Sequence, residues 1–304
     1  MERDVIATVF LPIALGVIML GLGLSLTLAD FKRVIVYPKA VIVGLGAQML
    51  VLPAICLGVA HLFALPPELA VGLMLLSASP GGATANLFSH LAKGDVALNI
   101  TLTAVNSVLS LITMPLIVGF SMQHFMGADK AIPLQADKII QVVAVILVPC
   151  VIGMIVRSKN PALANRLDKP VRLISAVFLI LVIAAAVIKQ RDEIGGQFAE
   201  VGLAALVFNL ASMAVGYFLP RVFGVMRKQA IAIGMEIGIH NGTLAITIAL
   251  TVLESQKMST PPAIYSLIMF FTAAAFGAWM ARRPEDPSEV AKPETALPKA
   301  RTVA

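Results

Sequence analysis

Long apolar blocks alternate with short polar segments along most of the chain. A helix needs about 20 apolar residues to cross a bilayer, and nine blocks reach that length. They predict spans at 5–28, 36–63, 67–92, 96–124, 134–157, 168–189, 198–221, 227–253 and 260–281. Residues 282–304 are polar and rich in proline, which predicts a disordered tail. The pattern therefore predicts an all-α membrane protein with nine transmembrane helices and one transmembrane domain, 5–281.

The composition excludes an ordinary soluble protein. Only 13% of the 304 residues are charged and 59% are hydrophobic, whereas a soluble domain carries about 25% charged residues. This low charge indicates that the lipid bilayer is the main partner. The net charge of +6 does not indicate nucleic-acid binding, because the basic residues lie between the apolar blocks. They form no basic stripe with interleaved aromatic residues.

The distribution of lysine and arginine predicts the orientation of the chain. One set of loops, around 32–39, 93, 157–172 and 221–228, holds most of the basic residues. Such loops lie in the cytoplasm, so we expect the N-terminus outside and the C-terminus inside. Short loops and no long polar domains are typical of a compact carrier in a bacterial inner membrane. Nothing in the sequence indicates an obligate protein partner.

Two predicted spans carry helix-breaking residues near their middle. The third contains Ser79-Pro80-Gly81-Gly82, where proline lacks an N–H and glycine is costly to order, so the helix should break. The eighth contains three glycines within 234–242. Interrupted helices at matching places in two halves of a chain point to the binding site of a transporter. The alternative is that the glycines only allow close packing of helices.

Glu236 is the most informative residue of the sequence. It is the only carboxylate in the interior of a predicted span, and no lysine or arginine lies at a similar depth. A bare carboxylate in hydrocarbon is unstable by several kcal/mol, so Glu236 must be protonated or neutralised by a cation. Either state predicts a coupling site for Na⁺ or H⁺. The alternative is a permanently protonated structural residue. His240 follows by four positions and is expected on the same helical face.

A polar stripe runs along the fourth predicted span. Its spacings of 4, 3, 4 and 3 place the side chains on one helical face. The members are Asn99, Thr103, Asn106, Ser110 and Thr113. Their oxygen atoms are ligands that hard cations prefer, although polar contacts between helices are the alternative. For Asn99 and Thr103 we favour the ion site.

The break in the third span also offers backbone groups. The half-helix that begins after Gly82 has N–H groups without helical partners, and these suit an anionic substrate group. The carbonyl groups that end the preceding half-helix suit a cation. Polar side chains occur nearby in the second and third spans: Gln48, Thr84 and Asn86.

Three stretches resemble the bile acid:sodium symporter family: Ser79-Pro80-Gly81-Gly82-Ala83-Thr84-Ala85-Asn86, Leu91-Ala92-Lys93-Gly94-Asp95-Val96-Ala97-Leu98-Asn99 and Glu236-Ile237-Gly238-Ile239-His240-Asn241. The resemblance implies two inverted repeats in a nine-helix form. A core domain (about 36–124 and 198–281) would hold two broken helices that cross near mid-membrane. A panel domain (about 5–28 and 134–189) would pack against it.

The resemblance also implies two Na⁺ sites behind the crossing, with Na⁺ as the coupling ion. One would use Asn86, Asn99, Thr103 and Glu236. The other would use Gln48, Glu236, the carbonyl groups of Ile237 and Ile239, and the side chain of His240. A small organic anion would bind in front, near Gly82, Thr84 and Asn241.

Three positions depart from the pattern of this family. Related transporters commonly have serine where Ala85 stands, and glutamine where His240 stands. Imidazole nitrogen is a poor Na⁺ ligand, and histidine titrates near neutral pH, so the second site is expected to be weakened, lost or coupled to protons. Residues 266–270 are mostly apolar where some bacterial relatives have a polar His-Asn pair. This difference argues against a bile-acid substrate.

The resulting prediction is a sodium-coupled symporter of an organic anion that works by alternating access. A proton-coupled carrier that uses Glu236 and His240, and a sodium-independent carrier or exporter, are the alternatives. An intramembrane enzyme is less favoured, because a catalytic zinc site usually needs three protein ligands. The other histidines, His61, His90 and His124, lie at span ends. A receptor or structural protein would not need a mid-membrane carboxylate beside two helix breaks.

Overall fold

The structure is a computed structural model that describes residues 11–82, 84–127, 136–167, 170–171, 173–174, 177 and 194–283. Short connections join its helices, and the described residues form no β-strand, as the all-α prediction requires. The labelled helices are α1 (Leu11–Ser25), α2 (Leu28–Lys32), α3 (Pro38–Gly46), α4 (Leu52–Leu62), α5 (Pro67–Ser77), α6 (Ala85–Leu91), α7 (Val96–Met126), α8 (Ala136–Lys159), α9 (Ile194–Val222), α10 (Arg227–Gly238), α11 (Gly242–Thr251) and α12 (Gln256–Arg282). A 3₁₀ turn (Arg33–Ile35) precedes α3, and a π-helical segment (Ala47–Val51) joins α3 to α4.

Within the described part of the chain, four helical stretches are long and apolar enough to cross a membrane. They are Pro38–Leu62, Val96–Met126, Phe198–Val222 and Gln256–Arg282, and they match four of the predicted spans. Large apolar side chains point outward from them: Leu50 is 74% exposed and Phe271 is 78% exposed. Broad apolar surface of this kind is unfavourable in water but suits contact with lipid. The fold is that of a multi-pass membrane protein.

Two predicted spans each consist of two shorter helices. The third span is divided between α5 and α6, with the non-helical segment around Pro80 and Gly81 in between. This confirms the break predicted from the Ser-Pro-Gly-Gly run. The eighth span is divided between α10 and α11 at 239–241. Each half-helix is too short to cross a bilayer alone, so both breaks lie within the helical bundle.

Other predictions fall partly outside the described residues. Helices α1 and α8 agree with the first and fifth predicted spans and pack against each other. Most of the predicted sixth span, 168–189, and the tail beyond 283 are outside the described part of the chain. The count of nine spans, the disordered tail and the division into core and panel domains therefore stay predictions.

The half-helices before the two breaks form the centre of the molecule. All residues of α5 from Leu69 to Ser77 are buried, as are all residues of α10 from Gln229 to Gly238. Helix α10 packs against α3, α6, α7, α9 and α12, and α5 packs against α4, α7, α11 and α12. Helices surrounded in this way turn every face towards other helices, which places any polar residue in their buried part away from lipid.

Glycines in the eighth span serve close packing as well as the break. A Cβ atom on Gly216 of α9 would lie 2.8 Å from the Cα atom of Gly234. A Cβ atom on Gly238 would overlap the side chain of Met213. The packing explanation therefore holds for Gly238, and for Gly216 where it approaches Gly234, while the break follows at 239–241.

Candidate ion-binding site

The two helix breaks bind each other through their backbones. Gly81 and His240 form an isolated antiparallel bridge. The N–H of Gly82 donates to the carbonyl oxygen of Ile239 (2.6 Å), and the N–H of Asn241 donates to that of Pro80 (2.8 Å). Irregular backbone is tolerated at membrane depth only when its polar groups have partners. Each break supplies those partners for the other, so the two breaks stabilise one local structure.

Glu236 lies in the last turn of α10, beside this contact, and is 2% exposed. A Cβ atom on Gly81 would overlap its carboxyl group. Glycine at this position therefore lets the first break approach the carboxyl closely. The hydroxyl of Thr103 donates to Oε2 of Glu236 (2.6 Å). Oε1 is buried and has no hydrogen-bond partner among the described residues.

Helix α7 contributes a second polar contact one turn earlier. Nδ2 of Asn99 donates to the carbonyl oxygen of Ala232 (2.7 Å), and Oδ1 of Asn99 is buried without a partner in the described structure. Asn99 and Thr103 are one turn apart on α7, as Ala232 and Glu236 are on α10. The two helices are therefore in register at the site. Sequence periodicity predicted this inward face of α7.

The start of α7 explains why this register is fixed. Asp95 is the N-cap residue, and its Oδ1 accepts from the N–H of Leu98 (3.0 Å). The N–H of Asp95 donates to the carbonyl oxygen of Lys228 near the start of α10 (2.9 Å). An N-cap sets where a helix begins, and the second bond ties that beginning to α10. Asp95 thus aligns α7 with α10, which carries Glu236.

Gln48 approaches the first break from the π-helical segment. Pro53 follows that segment and has no N–H, so the regular helical bond to residue 49 cannot form and a π bulge results. Nε2 of Gln48 donates to the carbonyl oxygen of Ser79 (3.0 Å). Its Oε1 is buried, with no partner in the part of the chain that the structure describes.

His240 reaches the same carbonyl group as Gln48. Its Nδ1 lies 3.3 Å from the oxygen of Ser79, and its ring stacks on Phe208 with centroids 6.0 Å apart. Nε2 is buried and has no partner among the described residues. The expectation that His240 shares a helical face with Glu236 is wrong. Helix α10 ends at Gly238, and Ile239, with φ −111° and ψ 88°, turns the chain out of the helix.

The other predicted site residues are more dispersed. Asn86 lies on α6, which packs against α10, and its Oδ1 is buried without a partner in the described structure. No described contact joins Asn86 to Glu236. Thr84 is exposed just before α6. The N–H of Gly82 is already bonded to Ile239, and Oδ1 of Asn241 accepts from Leu244 (3.0 Å) to cap α11.

Two residues that the sequence analysis missed hold the end of α10. Nδ2 of Asn209 and the hydroxyl of Tyr265 both donate to the carbonyl oxygen of Gly238, at 2.9 and 3.0 Å. Tyr265 also contacts the ring of His240, with centroids 5.4 Å apart. The sequence contained one signal, because Asn209 is the sole amide side chain in the apolar stretch 198–221.

Several buried oxygen atoms around the breaks have no hydrogen-bond donor among the described residues. The carboxyl and amide oxygens concerned are Oε1 of Gln48, Oδ1 of Asn86, Oδ1 of Asn99, Oδ1 of Asn209 and Oε1 of Glu236. Buried polar atoms are usually paired, and each unpaired one is destabilising. A hard cation coordinates such oxygens. The chemistry around Glu236 therefore fits a cation with oxygen ligands.

Comparison with known proteins identifies the family. The sequence model of the Sodium Bile acid symporter family matches residues 12–197, more than half of the chain. The chain belongs to this family. The match includes the first break and confirms the resemblance to this family, which is one of sodium-coupled transporters and not of enzymes.

Individual sodium-dependent transporters align along most of the chain. The sodium-dependent transporter YocS of Bacillus subtilis is 27% identical over 85% of this chain and 78% of its own length. The hepatic sodium/bile acid cotransporter of Rattus norvegicus is 28% identical over 88% of this chain and 72% of its own. A protein of Oryza sativa, named as a probable chloroplastic sodium/metabolite cotransporter, is 26% identical over 89% of this chain. The alignment covers only 64% of the length of that rice protein. These relationships support sodium-coupled transport.

Proposed function

We propose that the protein is a sodium-coupled symporter that imports an organic anion by alternating access. The observation that carries the proposal is the environment of Glu236. Its buried carboxyl lies where two broken helices meet, holds one hydrogen bond from Thr103, and has its second oxygen without a partner in the described structure. A charged carboxylate in this place requires a cation.

The first Na⁺ site is formed between α7 and α10. Thr103 and Glu236 are joined by a hydrogen bond, and Asn99, whose Oδ1 has no hydrogen-bond partner among the described residues, lies one turn before Thr103. These oxygens, with Oδ1 of Asn86 from α6, are hard ligands of the kind Na⁺ accepts. Bound Na⁺ neutralises Glu236 and draws α6, α7 and α10 together.

The second Na⁺ site is weaker. It comprises Oε1 of Gln48, the carboxyl of Glu236, the carbonyl groups of Ile237 and Ile239, and His240. The carbonyl oxygen of Ile239 also accepts from Gly82, which reduces its strength as a ligand. His240 offers Na⁺ an imidazole nitrogen, which is a poorer ligand for this hard cation than an amide oxygen would be. We therefore assign the main ion affinity to the first site.

The organic anion binds in front of the breaks, near Gly82, Thr84 and Asn241. Thr84 is exposed there and Asn241 is half-buried, so both border space that a solute can enter. Gly82 lines the substrate site with its backbone but does not donate its N–H to the anion, because that N–H is bonded to the carbonyl oxygen of Ile239. The apolar stretch 266–270 favours a substrate smaller or less sterol-like than a bile acid.

Coupling follows from the shared contact between the two breaks. Na⁺ at Glu236 orders the breaks, and the ordered breaks shape the substrate site, so ion and anion bind cooperatively. Movement of the core domain against the panel domain then exposes the site to the other side. In a bacterial inner membrane with the C-terminus in the cytoplasm, the membrane potential adds about 2.3 kcal/mol per charge per 100 mV.

Proton coupling is the second candidate, and one observation favours it. Nε2 of His240 is buried and lacks a partner in the described structure. Gly81 bridges to His240 and also approaches the buried carboxyl of Glu236. Two titratable groups beside one helix break can exchange a proton with the two sides of a membrane. The family relationship favours Na⁺, and the ion dependence of transport distinguishes the two candidates.

The test is accumulation by purified protein in liposomes. The outside solution contains a defined mixture of monocarboxylates, dicarboxylates and bile-acid conjugates, and mass spectrometry identifies what accumulates inside. An inward Na⁺ gradient is compared with choline, and with an inward proton gradient in choline. Glu236→Gln and the exposed Glu200→Gln serve as variant and matched control.

We expect an anion to accumulate only with the Na⁺ gradient, in the wild type and in Glu200→Gln but not in Glu236→Gln. Accumulation driven by protons without Na⁺ would establish the second candidate. Equal uptake in choline would refute coupling and leave a sodium-independent carrier.

A further inference from the structure

Two histidines far apart in sequence meet at the ends of their helices. His61 lies in the last turn of α4 and His124 in the last turn of α7, and both side chains are exposed. Their Nε2 atoms face each other at 2.8 Å. Neither residue takes part in the contacts around Glu236. This pair is the clearest cluster of metal-ligating side chains outside the site described above.

The aromatic surroundings hold both rings in place. His61 lies beside Phe125, with ring centroids 5.2 Å apart, and His124 stacks on Phe120 at 5.6 Å. The two imidazole planes are nearly perpendicular, at 89°. Rings restrained in this way lose little freedom when they bind a ligand, which favours binding. The pair is thus held with its two Nε2 atoms close together at the ends of α4 and α7, so a small rotation of the rings lets both bind one metal ion.

The 2.8 Å spacing, which an N–H···N hydrogen bond also gives, matches one metal geometry better than another. Imidazole nitrogen binds divalent metals at about 2.0 Å, so two nitrogens in adjacent square-planar positions lie about 2.8 Å apart. Tetrahedral coordination, as for zinc, would need about 3.3 Å. Square-planar or tetragonal nitrogen sites are typical of Cu²⁺ and Ni²⁺, and Cu²⁺ binds such ligands more strongly.

We propose that His61 and His124 bind a divalent metal ion with square-planar or tetragonal preference, Cu²⁺ before Ni²⁺, through their Nε2 atoms. Water completes the coordination, and the metal joins the ends of α4 and α7. In the predicted orientation these ends lie on the outer side of the membrane, where the site meets metal ions from outside the cell. The site is independent of the proposed sodium coupling.

The experiment uses full-length protein in detergent, purified without a histidine tag and without reductant, and titrated with CuSO₄. Equilibrium dialysis gives the number of Cu²⁺ ions bound, and electron paramagnetic resonance gives the number of coordinated nitrogens. The variants are His61→Ala and His124→Ala. His90→Ala is the matched control, because His90 is also exposed near a helix end but belongs to α6.

We expect one Cu²⁺ per chain with hyperfine coupling from two nitrogens. Each of the two site variants should lose this bound ion, whereas His90→Ala should keep it. Absence of bound Cu²⁺ in the wild type would overturn the proposal, and the pair would be a simple N–H···N hydrogen bond. Binding that survives in both site variants, or a wild-type spectrum without two nitrogens, would also overturn it. The wild-type spectrum is decisive even if a variant fails to fold.

Discussion

The two sides of Glu236 differ in the chemistry that they offer a cation. Towards α7, the hydroxyl of Thr103 is bonded to the carboxyl and the amide oxygen of Asn99 is free of partners in the described structure. Towards the first break, Gln48 offers an amide oxygen but His240 offers imidazole nitrogen. Hard cations prefer oxygen, so the α7 side should provide most of the Na⁺ affinity.

The two sides also differ in how rigidly they are held. The α7 side consists of two regular helices in register, fixed by the N-cap at Asp95. The other side consists of a π segment and the non-helical residues 239–241, whose backbone groups serve both the bridge and the proposed ion site. A site on regular helices is more precisely placed than one on irregular backbone. The comparison predicts one strong and one weak Na⁺ site.

The largest effect is expected from Gly81→Ala. The added methyl group would overlap the carboxyl of Glu236, so the carboxyl must move and both sides of the site are lost. Na⁺ should then no longer raise the unfolding temperature of the purified protein. Gly58→Ala on α4 is the control, because its Cβ atom meets nothing within 4 Å. If Na⁺ raised the unfolding temperature of Gly81→Ala as it does that of the wild type, the close contact between the first break and Glu236 would not be needed for ion binding.

An intermediate effect is expected from Thr103→Val, which tests the α7 side alone. Valine has nearly the shape of threonine but lacks the hydroxyl oxygen. Loss of this one ligand should weaken Na⁺ binding by about tenfold, or about 1.4 kcal/mol. Thr101→Val is a matched control on the same helix. Thr101 is also buried, but among the described residues its hydroxyl donates only to the carbonyl oxygen of Ala97 (2.9 Å). Isothermal titration with NaCl measures the Na⁺ affinity of each variant. Equal affinities for Thr103→Val and Thr101→Val would contradict the assignment of Thr103 as a ligand.

The smallest effect is expected from His240→Gln, which tests the weaker side. Glutamine supplies an amide oxygen in place of imidazole nitrogen, so we expect a few-fold gain in Na⁺ affinity and a steeper dependence on its concentration. His90→Gln, at an exposed position, is the control. A loss of Na⁺ response in His240→Gln would instead show that the imidazole itself takes part in coupling.

Local chemistry explains what the sequence predicted. Proline and glycine disrupt a helix wherever they occur in its interior, so the break at Pro80 and Gly81 was predictable. Helical periodicity likewise predicted that Asn99 and Thr103 face inward. Both features depend on residues close together in sequence.

Contacts between distant segments explain what was missed. The end of α10 at Gly238 depends on Asn209 and Tyr265, which bind its carbonyl oxygen, and on the bridge to Gly81. The prediction for His240 failed because it assumed that the helix continued. The meeting of His61 and His124 could not be predicted either, because 63 positions separate them and only the packing of α4 and α7 brings them together.

The most direct test of the central claim is thermal unfolding of wild type and Glu236→Gln across a NaCl series, with choline chloride holding the ionic strength constant. A ligand that binds only the folded state stabilises it by about 2.7 kcal/mol at 100 times its Kd. We predict that Na⁺, but not choline, raises the unfolding temperature of the wild type, and that Glu236→Gln shows no such rise. A wild type without a specific Na⁺ response, or an equal response in Glu236→Gln, would contradict a sodium site at Glu236.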